Sequence, residues 1–422
     1  MLYYKKGVTK MTGIFRKKKW AIVNHIFFAF ILLYPPTLFA DEISTKRLND
    51  FAEQMLQKRA VTVGYPGNQN TDLKEFYEWY INSKLYEVTM NNVGDPRQAS
   101  SYPLNTHEFE NEVIDFFAPL YGFSENEAWG FITSSGTDGN EHGMYFGVRR
   151  LLGETKMHPI CYVSEDAHYS IKRLADVQNL ELRLIKTDKT GKMIISEFEK
   201  ALDPSKPALV VIAMGTTFKG AIDDQAAIYE VIRKKKPIAV YIHVDAALFG
   251  GYLPFTEHKN LVNHGESHFD SIAVSGHKFF GLDEPMGIFL TTKNTMSKTN
   301  PFKVAYLNEA VPTITCSRNA VAALKFWWKI KKTGTKGFEE QAKMILANAQ
   351  YLKAQLDKIG WPAWQNDCSN TVYFRRPSEF VMKKYGLAPE FDPRLGGELA
   401  HIVIMQHVTR DTIDQIVNDI RK

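Results

Sequence analysis

Short continuous apolar runs alternate along much of the chain with segments whose apolar residues recur at helical spacing. The runs are rich in β-branched residues and predict strands at 129–133, 159–163, 182–185, 208–213, 238–245 and 271–274. Fully apolar runs separated by helices favour a mostly parallel sheet covered on both faces. The predicted fold class is therefore α/β, with a ligand site at the carboxyl ends of the strands.

The pattern differs on either side of this region. Helical spacing predicts helices at 43–59, 73–85, 107–121, 318–332, 338–359 and 410–421. Short strands are predicted at 372–374 and 402–404. A chain of 422 residues is too long for one small domain. We predict a leader at 1–40, an N-terminal helical segment at 41–105, a large domain at 106–309 and a small C-terminal α+β domain at 310–422.

The first forty residues have the composition of a targeting segment. They hold seven Lys and Arg and no acidic residue, with a basic cluster at 16–19 before an apolar run at 26–34. Pro35-Pro36 ends the run and Ala40 precedes Asp41-Glu42, as in a cleavable signal peptide. The run is short for a membrane span. We expect a periplasmic or secreted protein with no stable membrane span after leader removal. The alternatives are an uncleaved membrane anchor and a mis-assigned start codon in a cytoplasmic protein.

The formal charge of +5 comes from this leader. Removing its seven basic residues from the 52 Lys and Arg leaves 45 against 47 acidic residues, so the body of the chain is slightly acidic. This balance argues against nucleic acid as a partner. The cysteines, Cys161, Cys316 and Cys368, are odd in number and widely spaced, which predicts neither a disulfide framework nor a metal site.

The most informative residue is Lys278, which follows the last strand of the alternating region and precedes Phe279-Phe280. A lysine condenses with an aldehyde only when its amine is unprotonated, which a partly desolvated position favours. Asp245 ends the preceding strand, where an acid can keep the nitrogen of a pyridine ring protonated. Together they indicate a pyridinium aldehyde cofactor. The structural alternatives are a surface lysine and a turn-capping aspartate.

Other strand ends carry residues that suit the same cofactor. The small-residue turn at 134–140 leads into a helix, an arrangement that binds phosphate or merely connects the two elements. His168 begins a helix and can stack on a ring, or serve only as a structural histidine. Ala247 leaves room for a flat ring. Three further residues can either contact the cofactor or merely fix their turns, namely Thr217, Ser275 and His277.

These segments together resemble the pyridoxal-phosphate-dependent group II amino-acid decarboxylases, which have the fold type I architecture. Within that family the chain is most similar to the bacterial histidine decarboxylase branch, which resembles plant serine decarboxylases. The resemblance runs from about Asn91 to the C-terminus. It rests on Asn92-Val-Gly-Asp-Pro96, Trp129-Gly-Phe-Ile-Thr-Ser-Ser-Gly-Thr-Asp-Gly-Asn140, Ala167-His-Tyr-Ser170, Gly215-Thr-Thr-Phe-Lys-Gly-Ala-Ile-Asp-Asp224, His243-Val-Asp-Ala-Ala247, Ser275-Gly-His-Lys278 and Thr313-Ile-Thr-Cys-Ser-Arg-Asn319.

The resemblance implies pyridoxal phosphate as cofactor and a role for each matching residue. Lys278 matches the cofactor lysine, Asp245 the partner of the pyridinium nitrogen, and His168 the histidine that stacks on the ring. Tyr306 lies where a mobile loop should cover the site and can reprotonate the product. The family also implies a homodimer with active sites at the interface. The implied phosphate residues are Gly136, Thr137, Ser275 and His277, with Thr217 beside the ring.

Several positions depart from the family pattern. The family usually has Glu where Asp138 stands, and Gly where Cys316 and Ala320 stand. After the lysine, a Pro-rich turn and a Cys-Gly pair are replaced here by Leu282-Asp-Glu-Pro-Met-Gly287. We expect these departures near the substrate end of the site, with the cofactor residues intact.

The predicted activity is decarboxylation of an L-amino acid to its amine and CO₂, with L-histidine to histamine as the first choice. The alternatives are a serine or other small amino-acid decarboxylase and an exported pseudoenzyme that keeps the fold. A nucleotide-binding doubly wound protein is disfavoured because the chain has no Gly-x-Gly-x-x-Gly turn.

Overall fold

The computed structural model describes residues 37–299, 302–307 and 309–422, apart from the side chains of residues 37–43, 306 and 309. The chain divides into two units, Met1–Arg59 and Ala60–Lys422. In the first unit the described residues form one helix, Thr37–Arg59, which begins earlier than the predicted 43–59. The predicted leader falls outside the described residues up to position 36. Where the structure describes the chain, no helix has the length and apolar character needed to cross a bilayer.

The elements are numbered in chain order. The helices are α1 Thr37–Arg59, α2 Lys74–Asn82, α3 His107–Phe117, α4 Gly136–Thr155, α5 Tyr169–Val177, α6 Ile195–Ala201, α7 Gln225–Lys235, α8 Phe249–Tyr252, α9 His264–Ser267, α10 Lys293–Lys298, α11 Ala320–Lys358, α12 Glu379–Tyr385 and α13 Arg410–Arg421. The strands are β1 Asn92–Val93, β2 Ala128–Thr133, β3 Ile160–Ser164, β4 Glu181–Ile185, β5 Ala208–Ala213, β6 Val240–Asp245, β7 Ser271–Ser275, β8 Gly287–Thr292, β9 Phe302–Val304, β10 Glu309–Val311, β11 Ser317–Arg318, β12 Ala363–Gln365, β13 Thr371–Arg375, β14 Ala388–Asp392 and β15 Gly397–Val403.

A seven-stranded sheet in the order β2-β8-β7-β6-β5-β3-β4 forms the centre of the second unit. Its strands run parallel except β8, which is antiparallel to both β7 and β2. The predicted α/β class with a mostly parallel sheet is confirmed. The sequence pattern missed β8, because β8 returns from β7 through a loop and no helical spacing separates the two runs.

Both faces of this sheet are buried. Along β3, Ile160 and Tyr162 belong to one apolar layer, whereas Cys161 and Val163 belong to the other. Each buried apolar side chain of this size contributes roughly 1.5–3 kcal/mol. Burial on both faces explains why the strands appear in the sequence as continuous rather than alternating apolar runs.

Helix α4 lies very close to the sheet because it faces the strands with glycines. A Cβ at Gly139 would be 2.8 Å from the Cβ of Ala273 on β7, and a Cβ at Gly147 would be 2.7 Å from Cδ1 of Tyr241 on β6. No ordinary side chain fits these positions. The close approach places the N-terminus of α4 beside the ends of β6 and β7.

The C-terminal part contains α11 and a second sheet. Helix α11 has a non-helical backbone at Gly334, with φ of 63°, which divides it much as the separate predictions 318–332 and 338–359 expect. Four antiparallel strands follow in the order β12-β13-β15-β14. The sequence pattern missed β12, which is short, and β14, whose exposed centre and Pro389 weaken a strand signal. The proposed boundaries between segments 41–105, 106–309 and 310–422 stay predictions.

Candidate active site

Several strands of the seven-stranded sheet end on the same side, and polar residues follow them. β3 ends at Ser164 shortly before His168, β6 ends at Asp245, and β7 ends at Ser275. Ligands of such sheets bind outside the carboxyl ends of the strands. A cavity of about 1050 Å³ lies there. Its lining includes every predicted site residue except Tyr306: Gly136, Thr137, His168, Thr217, Asp245, Ala247, Ser275, His277 and Lys278.

Tyr306 belongs to the short 3₁₀ turn Ala305–Leu307, between β9 and β10. Its side chain lies outside the part of the chain that the structure describes. Its role as a proton donor stays a prediction.

Lys278 is partly buried in the loop between β7 and β8. Burial lowers the pKa of its amine, and the Asp245 carboxylate raises that pKa by less, so the net pKa is lowered. A lowered pKa increases the fraction of neutral amine, the form that condenses with an aldehyde. The chemistry of this position therefore suits a cofactor lysine.

Asp245 is held rigidly at the end of β6. The strand is paired with β5 through Ala213 and with β7 through Ala273, and the Asp245 side chain is only 8% exposed. Its Oδ1 accepts a hydrogen bond from the backbone N–H of Ala247 at 3.2 Å. A fixed, buried carboxylate of this kind can hold a protonated ring nitrogen.

His168 caps the N-terminus of helix α5. Its Nδ1 accepts the backbone N–H of Ser170 at 3.3 Å and lies 2.7 Å from Ser170 Oγ, which assigns the ring proton to Nε2. Burial lowers the pKa of His168, the Asp245 carboxylate raises it, and the Lys278 ammonium lowers it again. The net effect is a lowered pKa, which favours the neutral imidazole.

The N-terminus of α4 forms an anion cradle against β7. Ser135 caps the helix by accepting the backbone N–H of Asp138 at 3.1 Å, and the first free N–H groups follow at Gly136. A Cβ at Gly136 would collide with Ser275 Oγ, so glycine keeps this space open. His277 lies in the same lining. These residues fit a phosphate group beside Lys278, and the set as a whole fits a phosphorylated aldehyde cofactor.

Comparison with known proteins identifies the family. The profile of the pyridoxal-dependent decarboxylase conserved domain matches residues 151–361. A histidine decarboxylase from Solanum lycopersicum is 34% identical over 379 residues, which cover 88% of this chain and 87% of the tomato protein. The chain belongs to the pyridoxal-dependent decarboxylase family. The resemblance inferred from the motifs is confirmed, and pyridoxal phosphate is the cofactor of this decarboxylase.

Two other relatives extend the comparison. Serine decarboxylase 1 from Oryza sativa subsp. japonica is 32% identical to this decarboxylase over 375 residues, covering 88% of the chain and 74% of the rice protein. The solved L-methionine decarboxylase from Streptomyces sp. 590 superposes with a TM-score of 0.76 at 21% identity, covering 90% of this chain and 95% of that one. The structural likeness confirms the fold type I architecture.

Next to the first turns of α4 lies a buried histidine that the sequence did not single out as a site residue. His243 Nε2 lies 3.0 Å from Oδ1 of Asn140, which lines the cavity, and His243 Nδ1 lies 2.8 Å from Ser271 Oγ. Burial lowers the pKa of His243 to about 3, so the ring stays neutral. The hydrogen bond with His243 fixes the side chain of Asn140.

A second group of cavity residues was missed entirely. Lys219 Nζ donates to Asp392 Oδ2 at 2.6 Å and to Asp166 Oδ2 at 3.3 Å, and Arg394 Nη2 donates to Asp392 Oδ2 at 2.7 Å. The Arg394 and Lys219 hydrogen bonds hold the pKa of Asp392 well below its usual range, although burial opposes them. Asp392 ends β14, and because that strand was not predicted nothing placed it near Lys219.

Three acidic residues at positions that depart from the family pattern have clear structural contacts. Asp138 is in the first turn of α4, where its Oδ2 accepts the backbone N–H of Ser134 at 2.7 Å and its Oδ1 lies 3.0 Å from His142 Nδ1. Asp283 and Glu284 form ion pairs with a buried lysine, Lys325. These three acids do not line the cavity. Pro285, from the same departing segment as Asp283 and Glu284, does line the cavity, and the expectation that the departures lie near its substrate end stays a prediction.

Among the described residues, no group of three His, Cys, Asp or Glu side chains is arranged to hold a metal ion. The cysteines Cys161, Cys316 and Cys368 are free thiols.

Proposed function

We propose that this decarboxylase converts L-histidine to histamine and CO₂, with Lys278 as the residue that binds pyridoxal phosphate. The observation that carries the proposal is the convergence of Lys278, Asp245 and His168 on one cavity with a phosphate cradle. The tomato histidine decarboxylase supports histidine as the substrate. When bound, the cofactor supplies an electron sink for the bond that breaks to CO₂.

The residues of the chain divide the work. Lys278 supplies a neutral amine because its pKa is lowered by burial. Asp245 would hold the proton on the ring nitrogen, and neutral His168 would stack on the ring and border the substrate. Thr217 would lie beside the ring. The phosphate would be held by Gly136, Thr137, Ser275 and His277.

The proposal extends to the assembly and the location of the protein. The decarboxylase acts as a homodimer with active sites at the subunit interface, and Tyr306 returns the proton to the product carbon. The leader at 1–40 is cleaved, which gives a periplasmic or secreted enzyme. Light scattering of the purified protein tests the dimer, and the N-terminal mass of the exported protein tests cleavage.

The assignment of Lys278 is tested by Lys278→Ala. This variant should lack the visible absorbance of lysine-bound cofactor and release no CO₂, because no amine remains to hold the aldehyde. Lys343→Ala, at an exposed position on α11, is the matched control and should behave as the unaltered protein. Unchanged turnover in Lys278→Ala would end the proposal.

The substrate is tested by incubating the holoenzyme with each of the twenty amino acids and measuring amine and CO₂. Histidine should give the highest kcat/KM. Serine is the second candidate, because the rice relative is a serine decarboxylase. Bound cofactor with no amine from any amino acid would favour a pseudoenzyme instead.

A further inference from the structure

Lys278 lies in a closed loop between β7 and β8, residues 276–286, which we call the lysine loop. At its neck, the backbone N–H of Gly276 donates to Met286 O at 2.7 Å, and Ser275 pairs with Gly287 in the sheet. Lys278 stands on one arm of the loop, and Pro285, which also lines the cavity, stands on the other. The direction in which Lys278 enters the cavity therefore depends on what holds the two arms.

Packing and amide groups hold the first arm. Phe279 and Phe280 are fully buried. The carbonyl oxygen of Phe279 accepts hydrogen bonds from Gln406 Nε2 at 2.8 Å and from Asn68 Nδ2 at 3.1 Å. The residue after the catalytic lysine is thus fixed from two directions.

Charge holds the second arm. Lys325 Nζ lies 3.1 Å from Asp283 Oδ1 and 3.1 Å from Glu284 Oε1, and its side chain is only 6% exposed. The Tyr77 hydroxyl donates to Asp283 Oδ2, and Asn319 Nδ2 donates to Glu284 Oε1 at 3.3 Å. The Lys325 ammonium also lies 5.1 Å from the centre of the Tyr77 ring. One buried cation thus joins the loop to α11 and α2.

The charge state of Lys325 is secure. Burial lowers its pKa, but the hydrogen bond to Tyr77 and the carboxylates of Asp283 and Glu284 raise it by more, so the net pKa is raised. A buried charge is tolerated only when it is paired, and removing one partner leaves the others unpaired. Asp283 and Glu284 are among the residues at which the chain departs from the family pattern, and Lys325 on α11 is their ionic partner.

We propose that Lys325 is a positioning residue for Lys278, acting through Asp283 and Glu284 on the second arm of the lysine loop. This inference rests on the assignment of Lys278 proposed above. Lys325 is not among the residues that line the cavity, so it does not touch the substrate or the cofactor. It fixes the arm opposite Lys278, and a misplacement of about 1 Å at a reacting group can lower a rate by about a hundredfold.

The test compares Lys325→Met with Lys332→Met in the holoenzyme. Lys332 lies on the same helix and also bridges two carboxylates, Asp72 at 3.2 Å and Glu75 at 2.9 Å, but it does not contact the lysine loop. Lys325→Met should lower kcat at saturating cofactor by at least about tenfold, whereas Lys332→Met should stay within about twofold. Lys325→Arg, which keeps the charge and the donors, should recover most of the rate.

A second readout separates positioning from a general loss of stability. A loosened loop admits water to Lys278, and because burial is what lowers the pKa of its amine, that pKa should rise. The pH at which half of the cofactor shows the lysine-bound visible band should therefore increase in Lys325→Met. It should not change in Lys332→Met.

A triple variant covers the case in which Lys325→Met fails to fold. Lys325→Met combined with Asp283→Asn and Glu284→Gln leaves no unpaired charge, so it should fold with a Tm near that of the unaltered protein. It still lacks the ion pairs between Lys325 and the second arm of the loop. It should therefore keep the lower kcat and the higher pH at which half of the cofactor shows the visible band. Recovery of both values in the triple variant would overturn the inference, as would equal behaviour of Lys325→Met and Lys332→Met.

Failure of this inference is distinguishable from failure of the proposed function. If only the inference fails, Lys278→Ala still abolishes the visible band while Lys325→Met behaves like Lys332→Met. If Lys278→Ala keeps the band, the assignment of Lys278 and the inference built on it both fail.

Discussion

At the scale of single residues, burial rather than charge sets the chemistry of the site. Lys278 and His168 both have lowered pKa values with burial as the largest cause, and Asp245 opposes the shift at each. The sequence predicted these three residues because each follows an apolar strand. It could not predict the Lys219–Asp392 pair, because a contact between residues so far apart in the chain depends on the fold and not on any local pattern.

The lowered pKa of Lys278 predicts unusual reactivity in the apoenzyme. An amine-specific acylating reagent, followed by peptide mass analysis across a pH series, should label Lys278 half-maximally at a lower pH than exposed Lys343. The reason is that the buried amine loses its proton more readily. Identical pH profiles for the two lysines would contradict the prediction.

His243 predicts a pH dependence of stability. Burial lowers its pKa from the ordinary 6.5 to about 3. Between these two pH values the unfolded chain binds a proton at His243 and the native state does not, so the protein loses stability as the pH falls from 6.5 toward 3. Over that window the free energy of unfolding should fall by about 1.4 kcal/mol per pH unit on account of this one group. Denaturant unfolding of the protein and of His243→Gln at pH 7, 6 and 5 measures the difference. A slope equal in both proteins would exclude the prediction.

At the scale of elements, the strands of the seven-stranded sheet that are separated by helices were predictable, whereas β8 was not. β3, β5, β6 and β7 appear in the sequence as isolated apolar runs, whereas β8 follows β7 through a loop without a helix. The turn at the start of α4 was predicted as a phosphate site. The role of the glycines that bring this helix close to the sheet was not predicted, because a close approach depends on both elements together.

Two glycines of α4 give a matched pair of substitutions. A Cβ at Gly143 would collide with the His243 ring, so Gly143→Ala should lower the free energy of unfolding by roughly 1–3 kcal/mol and weaken cofactor binding. A Cβ at Gly153, on the same helix, meets nothing within 4 Å. Gly153→Ala should therefore raise stability by roughly 0.5–1 kcal/mol. Denaturant unfolding checks both, and a stabilising Gly143→Ala would refute the close packing of α4.

At the scale of the whole molecule, the active-site cavity is walled both by the ends of the seven-stranded sheet and by the four-stranded sheet. Thr371 on β13, Asp392 on β14 and His401 on β15 line the same cavity as Lys278. Lys219, in the turn after β5, is joined to Asp392 by a buried ion pair with both side chains 4% exposed. The cavity is therefore complete only when the C-terminal strands are in place.

This buried ion pair predicts a large effect on stability. Lys219→Met should lower the free energy of unfolding by roughly 1.5–3 kcal/mol, because Asp392 loses a charge-assisted hydrogen bond from Lys219 while it keeps those from Arg394. Lys353→Met removes an ion pair with Asp357 at the surface of α11 and should cost less than roughly 0.5 kcal/mol. Thermal and denaturant unfolding compare the two. Similar small effects would show that the buried pair contributes little.

The two amide hydrogen bonds to the carbonyl oxygen of Phe279 also affect the order in which the protein folds and binds its cofactor. The lysine loop joins neighbouring strands, so it can form early. The residues that donate hydrogen bonds to Phe279 are far away in the chain: Asn68 and Gln406 are 211 and 127 residues from it. Contacts between distant residues form late because the chain must close long loops first. We expect the refolding chain to regain its far-ultraviolet dichroism before the visible band of bound cofactor appears. Lys278 would then be held in position for the cofactor only once the chain is complete through residue 406.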